Sequence, residues 1–282
     1  MKITEKDLLN KIREIPPLPN IAVEVMKLAE DPTASIKDIV DVVKFDQGIT
    51  AKLLKICNST YFGLERKINS LNEAMIYIGQ NTLINLIYTT CSSGMFKKEF
   101  DGYFLEKGEL WRHSVACAIC SQLVSKKLKA KNADMAFTAG LLHDLGKIIL
   151  NGFLKDKSEE ITKLVEKDEF SFLQAEKEIV GLNHCEAGAI IAETWKFPDS
   201  LIEVLRYHHE PENAVLNKPL TYIVHIGNII CISEGIGVGL YGMAVEVSPV
   251  IREFWNLSEI DFDDIALNLK EDIVKADDLL SD

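Results

Sequence analysis

Leu142-His143-Asp144-Leu145-Gly146-Lys147 follows Ala136-Phe137-Thr138-Ala139-Gly140-Leu141, and the reading of these twelve residues decides the fold. The first part carries small residues at spacings that suit a closely packed helix, and the second places an imidazole beside a carboxylate at that helix's end. Neutral imidazoles plus a carboxylate are the mixed nitrogen and oxygen donors that manganese, iron or zinc accept. Adjacent donors on a helix point about 100° apart, so they share one ion only if it lies in the groove between them. A bridging carboxylate can instead span two ions, the arrangement in which two metals clamp an attacking water and a phosphate oxygen. Lys147, four residues after His143, is expected on the same face, where it could meet a phosphate as a mobile point charge.

All six histidines fall after residue 112. His113 sits in a helix read from Trp111, Val115, Ile119 and Leu123, one turn apart. His184 opens a helix capped by Asn183 with Glu186, which runs to Trp195 before Pro198, and His208-His209 closes the helix after that proline. Any one such histidine is commonly explained as a cap on helix carbonyls or a half-buried polar residue. Five together, one of them followed by Asp and Gly, point to a shared site.

The rest of the chain is also read as helical. Thr4 opens an apolar series at Leu8, Leu9, Ile12 and Ile15 that Pro16-Pro17-Leu18-Pro19 stops. Asn20 is placed to cap a second helix, Ser35 with Asp38 a third, and Ser70 with Glu73 forms a capping box before a helix stopped by Gly79. Ser171 with Gln174 starts another that ends near Gly181. Asp46, Asn58 and Ser59 are explained by turns and caps between short helices. Residues 94–107 are charged and lack clear periodicity. The chain is therefore divided into an N-terminal helical subdomain (1–92), a junction (93–107) and a C-terminal helical subdomain (108–282). Gly235-Ile236-Gly237-Val238-Gly239-Leu240 lacks the strand and the glycine spacing of a nucleotide fingerprint and reads as a flexible loop.

Of the 282 residues 47% are hydrophobic and 26% charged, which excludes a disordered chain. The net charge of -12 opposes a broad grip on nucleic acid or anionic lipid. No apolar run is long enough to span a bilayer, and the N-terminus lacks a signal-peptide pattern, so a cytoplasmic protein is expected. The six cysteines form no disulfide framework, and Cys117-Ala-Ile-Cys120 reads as a buried helix face rather than a redox or zinc pair.

Residues 108–232 resemble the HD superfamily of metal-dependent phosphohydrolases, with His113 as the first histidine, His143-Asp144 as the eponymous pair and Lys147 as its lysine. His184, His208 and His209 match additional histidines of the HD-GYP branch, which degrades cyclic di-GMP. Ile15-Pro16-Pro17-Leu18-Pro19, Phe45-Asp46-Gln47-Gly48-Ile49-Thr50, Asn58-Ser59 with Tyr61-Phe62-Gly63, and Ile68-Asn69-Ser70-Leu71 resemble the HDOD domain. Two departures separate this chain from the enzymes. Asn228 stands where they place an Asp ligand, and an amide oxygen binds a hard ion more weakly than a carboxylate. Glu210-Pro211-Glu212-Asn213 leads into a loop without the Gly-Tyr-Pro signature.

The resemblance implies an all-α, HD-like bundle of two packed subdomains. It also implies a bacterial signal-transduction output or adaptor module that acts through a signalling protein partner and is not catalytic. Its metal ligands would be His113, His143, Asp144, His184, His208 and His209, with Asn228 as a weak one, for one or two divalent ions of manganese, iron or zinc. The alternative is a metal-dependent phosphohydrolase acting on a nucleotide or cyclic dinucleotide, with Lys147 steadying the phosphate.

Overall fold

A computed structural model describes residues 7, 10, 11, 18–59, 62–64, 66–130, 133–166, 170–237, 247–255 and 259–276. Among the described residues the regular elements are helices, and the only β contact is an isolated bridge between Phe100 and Leu105. The N-terminal part comprises α1 (Asn20–Glu30), α2 (Ile36–Val43), α3 (Gln47–Cys57), α4 (Leu71–Ile78) and α5 (Gln80–Phe96). After a 3-10 turn at Asp101–Tyr103 come α6 (Glu109–Lys127), α7 (Ala133–Leu142), α8 (Lys147–Leu154), α9 (Ser158–Glu166) and α10 (Phe172–Val180). The chain continues through α11 (His184–Thr194), α12 (Asp199–Tyr207), α13 (Lys218–Ser233), α14 (Pro249–Trp255) and α15 (Glu259–Lys275). No described helix is long and apolar enough to cross a membrane.

Local chemistry explains most helix ends. Capping boxes at Ser171 with Gln174 and Asn183 with Glu186 each satisfy two backbone N–H groups that the first turn leaves open, and at Ser35 the Asp38 carboxylate accepts both the Ser35 N–H and its hydroxyl. Ser70 accepts from the Glu73 N–H, and Gly79, at φ +83°, ends α4 and admits the chain directly into α5. Two expectations need correction. Pro19, not Asn20, occupies the cap position of α1, and its carbonyl accepts the Ala22 N–H while its ring fixes φ. The charged stretch read as starting at 94 begins later, because α5 runs on to Phe96, which is fully buried. Of the helix expected from Thr4 only residues 7, 10 and 11 are described, and they are helical; its apolar series and its stop at Pro16-Pro17 lie outside the described residues.

A continuous buried cluster runs from Leu18 to Ala276, and α6 passes through its middle, packed by α5, α7, α13 and α15. Small residues bring these helices to backbone contact. A Cβ on Gly140 of α7 would stand 2.7 Å from the Cys117 carbonyl oxygen of α6, and one on Gly227 of α13 would stand 2.6 Å from Ser121 Oγ. Both glycines therefore meet α6 around Ser121. Their neighbours His143, at the end of α7, and Asn228, next to Gly227, are thereby brought to His113, two turns earlier on α6. Cys117 and Cys120 lie fully buried on α6, and all six cysteines are free thiols.

Candidate metal centre

His143, Asp144, Leu145 and Gly146 form a turn between α7 and α8 rather than continuing a helix. Gly146 makes this turn possible. A Cβ there would lie 1.8 Å from the His184 carbonyl oxygen and 2.6 Å from the Gly188 nitrogen, so any side chain would separate the turn from α11. The contact brings Asp144 against the first residue of α11. Lys147 does not share a helical face with His143, contrary to the helical spacing. It opens α8 and reaches back instead, with Nζ 2.7 Å from Asp144 Oδ2.

Asp144 lies between two groups of donors. Its Oδ2 is 3.6 Å from His113 Nε2 and 3.3 Å from His143 Nε2; its Oδ1 is 3.5 Å from His184 Nε2 and 4.0 Å from His208 Nε2. The His209 ring lies 4.4 Å from that of His208 and 5.2 Å from that of His184, centre to centre. Two groups, His113 with His143 and Asp144, and His184 with Cys185, His208 and His209, each bring their ligand atoms within 4.8 Å of one another. Each is capable of coordinating a metal ion.

The imidazoles are held by their other nitrogens. The Nδ1 of His113 donates to the Ile236 carbonyl (2.8 Å), that of His143 to the Gly140 carbonyl (2.7 Å), and that of His208 to the Leu205 carbonyl (3.0 Å). His184 Nδ1 donates to Glu176, at 2.9 Å from Oε2, and Tyr103 O–H donates to Glu176 Oε1 at 2.5 Å. In the neutral form of each ring, the form that binds a metal, donation through Nδ1 leaves Nε2 as a lone pair. The sixth histidine, His225, lies outside the cluster and steadies it, donating through Nδ1 to the His208 carbonyl at 2.7 Å.

The resulting interior fits a cation. His143 Nε2, His184 Nε2 and Asp144 Oδ1 are buried without hydrogen-bond partners, an arrangement that proteins rarely leave uncompensated. His113 Nε2 faces Asn228 Oδ1 at 3.1 Å, and with Nδ1 already donating, both facing atoms are acceptors. Metal bonds of about 2.0–2.2 Å place neighbouring ligand atoms about 3.0–3.5 Å apart, close to most separations around Asp144. Electrostatics also focus on that carboxylate. Burial would raise its pKa, but His143 and Lys147 hold it well below the usual range. Burial opposes charge on His143 as well, yet Asp144 and Cys117 push it up to about 10. Burial lowers His113, His208 and His209, keeping those imidazoles neutral and able to act as ligands.

All seven candidate donors read from the sequence are thus in one cluster, joined by two side chains that the sequence does not mark as ligands and by a segment expected to be a flexible loop. Glu176 is fully buried and lies on the apolar stripe of α10 with Phe172, Ala175, Ile179 and Val180. A carboxylate at a stripe position is the signal that would have revealed it. Cys185 escaped notice because a thiol beside a histidine also reads as core packing. Gly235-Ile236-Gly237 is not a free loop: Gly237, at φ +59°, leaves no room for a Cβ against His113, and Ile236 orients that ring. Val238-Gly239-Leu240 lies outside the described residues.

The HDOD domain profile matches residues 15–211. A protein of Treponema pallidum (strain Nichols) is 28% identical over 234 residues, which cover 79% of this chain and 43% of that protein. The chain therefore spans less than half the length of that curated relative. The crystal structure of an HDOD domain protein from Geobacter sulfurreducens is 27% identical, covers 99% of each chain and superposes with a TM-score of 0.76. A candidate phosphohydrolase of Shewanella amazonensis shares the fold at 21% identity and a TM-score of 0.69, over 96% of this chain and 97% of its own. With the profile spanning more than half of its length, the chain belongs to the HDOD domain family.

Proposed function

We propose that the chain is a signal-transduction output or adaptor module whose buried cluster holds divalent metal as a structural element, and which acts through a protein partner rather than by catalysis. Manganese, iron or zinc suits the donors. His113, His143, Asp144 and the weaker Asn228 would hold one ion, and His184, His208 and His209 a second, with Asp144 between them. When bound, the metal would neutralise Asp144 and tie the helices that carry these residues into one unit.

Closure of the cluster carries the proposal. His113, His143, Asp144, His184, His208 and Asn228 are each at most 2% exposed, and His209, at the edge of the cluster, is half-buried. Catalytic metal centres keep a position open to water and substrate, whereas structural ones are closed. Lys147, the candidate phosphate-binding residue, is engaged with Asp144, and its side chain is only 17% exposed. Asn228 leaves one more positive charge of the metal uncompensated than an aspartate would. The division into residues 1–92, 93–107 and 108–282 belongs to the same proposal, as does a cytoplasmic setting, which the free state of the six cysteines supports.

The test is elemental analysis of the full chain purified without added metal, followed by assays on cyclic di-GMP and a simple phosphodiester with manganese or iron. Bound metal with background turnover is expected. Hydrolysis that depends on metal and disappears in His143→Ala would replace the module with a phosphohydrolase acting on a nucleotide or cyclic dinucleotide.

A further inference from the structure

The two sides of Asp144 differ in chemistry. His113, His143, Asp144 and Asn228 offer only nitrogen and oxygen, while the other group adds the thiol of Cys185 to His184, His208 and His209. Cys185 is 2% exposed, and its Sγ lies 3.7 Å from His208 Nε2. Zinc bonds of about 2.3 Å to sulfur and 2.0–2.1 Å to nitrogen, at tetrahedral angles, place sulfur and nitrogen about 3.6 Å apart. Hydrogen bonds on the other side of the rings leave two nitrogens free to serve as ligands. His208 Nδ1 is engaged with the Leu205 carbonyl and His184 Nδ1 with Glu176, and the buried His184 Nε2 has no partner. Glu176, held in turn by Tyr103, fixes which nitrogen of His184 is left to serve as a ligand.

We infer that His184, Cys185, His208 and His209 form a thiolate site that selects zinc over manganese, distinct in ligand softness from the site on the other side of Asp144. The inference rests on the proposal that the cluster holds metal. Thiolate ligands favour zinc, whereas manganese favours oxygen donors, so one sulfur in four ligands shifts the preference. Three histidines and a cysteine also complete four-coordination without water; His184, Cys185 and His208 are buried, and His209 is half-buried. Metal binding moves the thiol proton to solvent, the sulfur lone pair forms the metal bond, and no electron is transferred.

Cobalt(II) reports the ligand directly, because a cobalt–thiolate bond gives a near-ultraviolet charge-transfer absorption that imidazole and carboxylate ligands lack. Metal-free full-length protein titrated with cobalt should develop this band, and zinc should displace it. Cys185→Ser and Cys185→Ala should both lack the band and should bind zinc at least roughly tenfold more weakly, since even residues that only orient a ligand are worth 10–100-fold in affinity. Manganese affinity should change little. Circular dichroism of each variant shows whether it folds, and the smaller alanine covers failure of serine. Cys117→Ala is the control, because Cys117 contacts His143 in the other group. Cobalt binding without the band, or a band lost in Cys117→Ala but kept in Cys185→Ser, would overturn the thiolate site alone. Wild-type protein that binds neither cobalt nor zinc would instead overturn the metal-holding module.

Discussion

Asp46 and Asn58 in the N-terminal helices differ from Asp144 and His143 in what their polar atoms meet. Asp46 caps α3 by accepting the Ile49 N–H at 2.9 Å. Asn58 clamps the segment after α3, donating to the Leu54 and Ile68 carbonyls at 2.7 and 2.8 Å and accepting the Ile68 N–H at 2.7 Å. Both satisfy themselves on nearby backbone. Ser59 is the exception, with a buried hydroxyl that finds no partner. Around Asp144, by contrast, carboxylate and imidazole atoms are gathered from distant helices and left facing one another, buried and unpartnered. Residue type does not distinguish structural from ligand-binding polar groups here; the distinction is whether a local backbone partner is within reach.

The largest effect should come from the residue that joins the two groups. Gly146→Ala forces the turn away from α11 and should cost about 3 kcal/mol or more, because the clash is with backbone that cannot rotate aside. Urea denaturation measures it, and a loss below about 1 kcal/mol would mean that the turn shifts without harm.

Next is the metal itself. Manganese at about a hundred times its dissociation constant should stabilise the wild type by about 2.7 kcal/mol, and the double variant His143→Ala with Asp144→Ala, which removes the donors of the nitrogen and oxygen group, should lose most of that gain. Equal stabilisation of both proteins, followed by thermal denaturation with and without manganese, would place that metal elsewhere.

Smaller effects are expected in the N-terminal helices. Asn58→Ala removes three hydrogen bonds and should cost about 2 kcal/mol, while Asp46→Ala removes a single helix cap and should cost about 1 kcal/mol. Neither should change the metal content of the purified protein. A folded Asn58→Ala protein with reduced metal, measured by elemental analysis, would break the contrast by tying the clamp to the centre.

Helix starts were legible because a Ser, Asn or Asp side chain meets a backbone N–H three residues on. Only the order of residues matters for such a bond, as Ser70, Ser171 and Asn183 show. The candidate donors were legible for a similar reason: imidazole and carboxylate carry their metal chemistry wherever they stand. Packing decided everything that depends on distance through space. His113 takes its orientation from Ile236, 123 residues away, and Tyr103 reaches Glu176 across 73 residues. Gly146 works only because α11 arrives against it, and Cys185 became a candidate ligand only when α12 brought His208 to its sulfur. Helical periodicity marks which face of each helix is buried but not which helix it will meet. Local hydrogen bonding and donor type were therefore readable along the chain, while the pairing of helices around Asp144, and with it the division of the candidate donors into two groups, came from the folded structure.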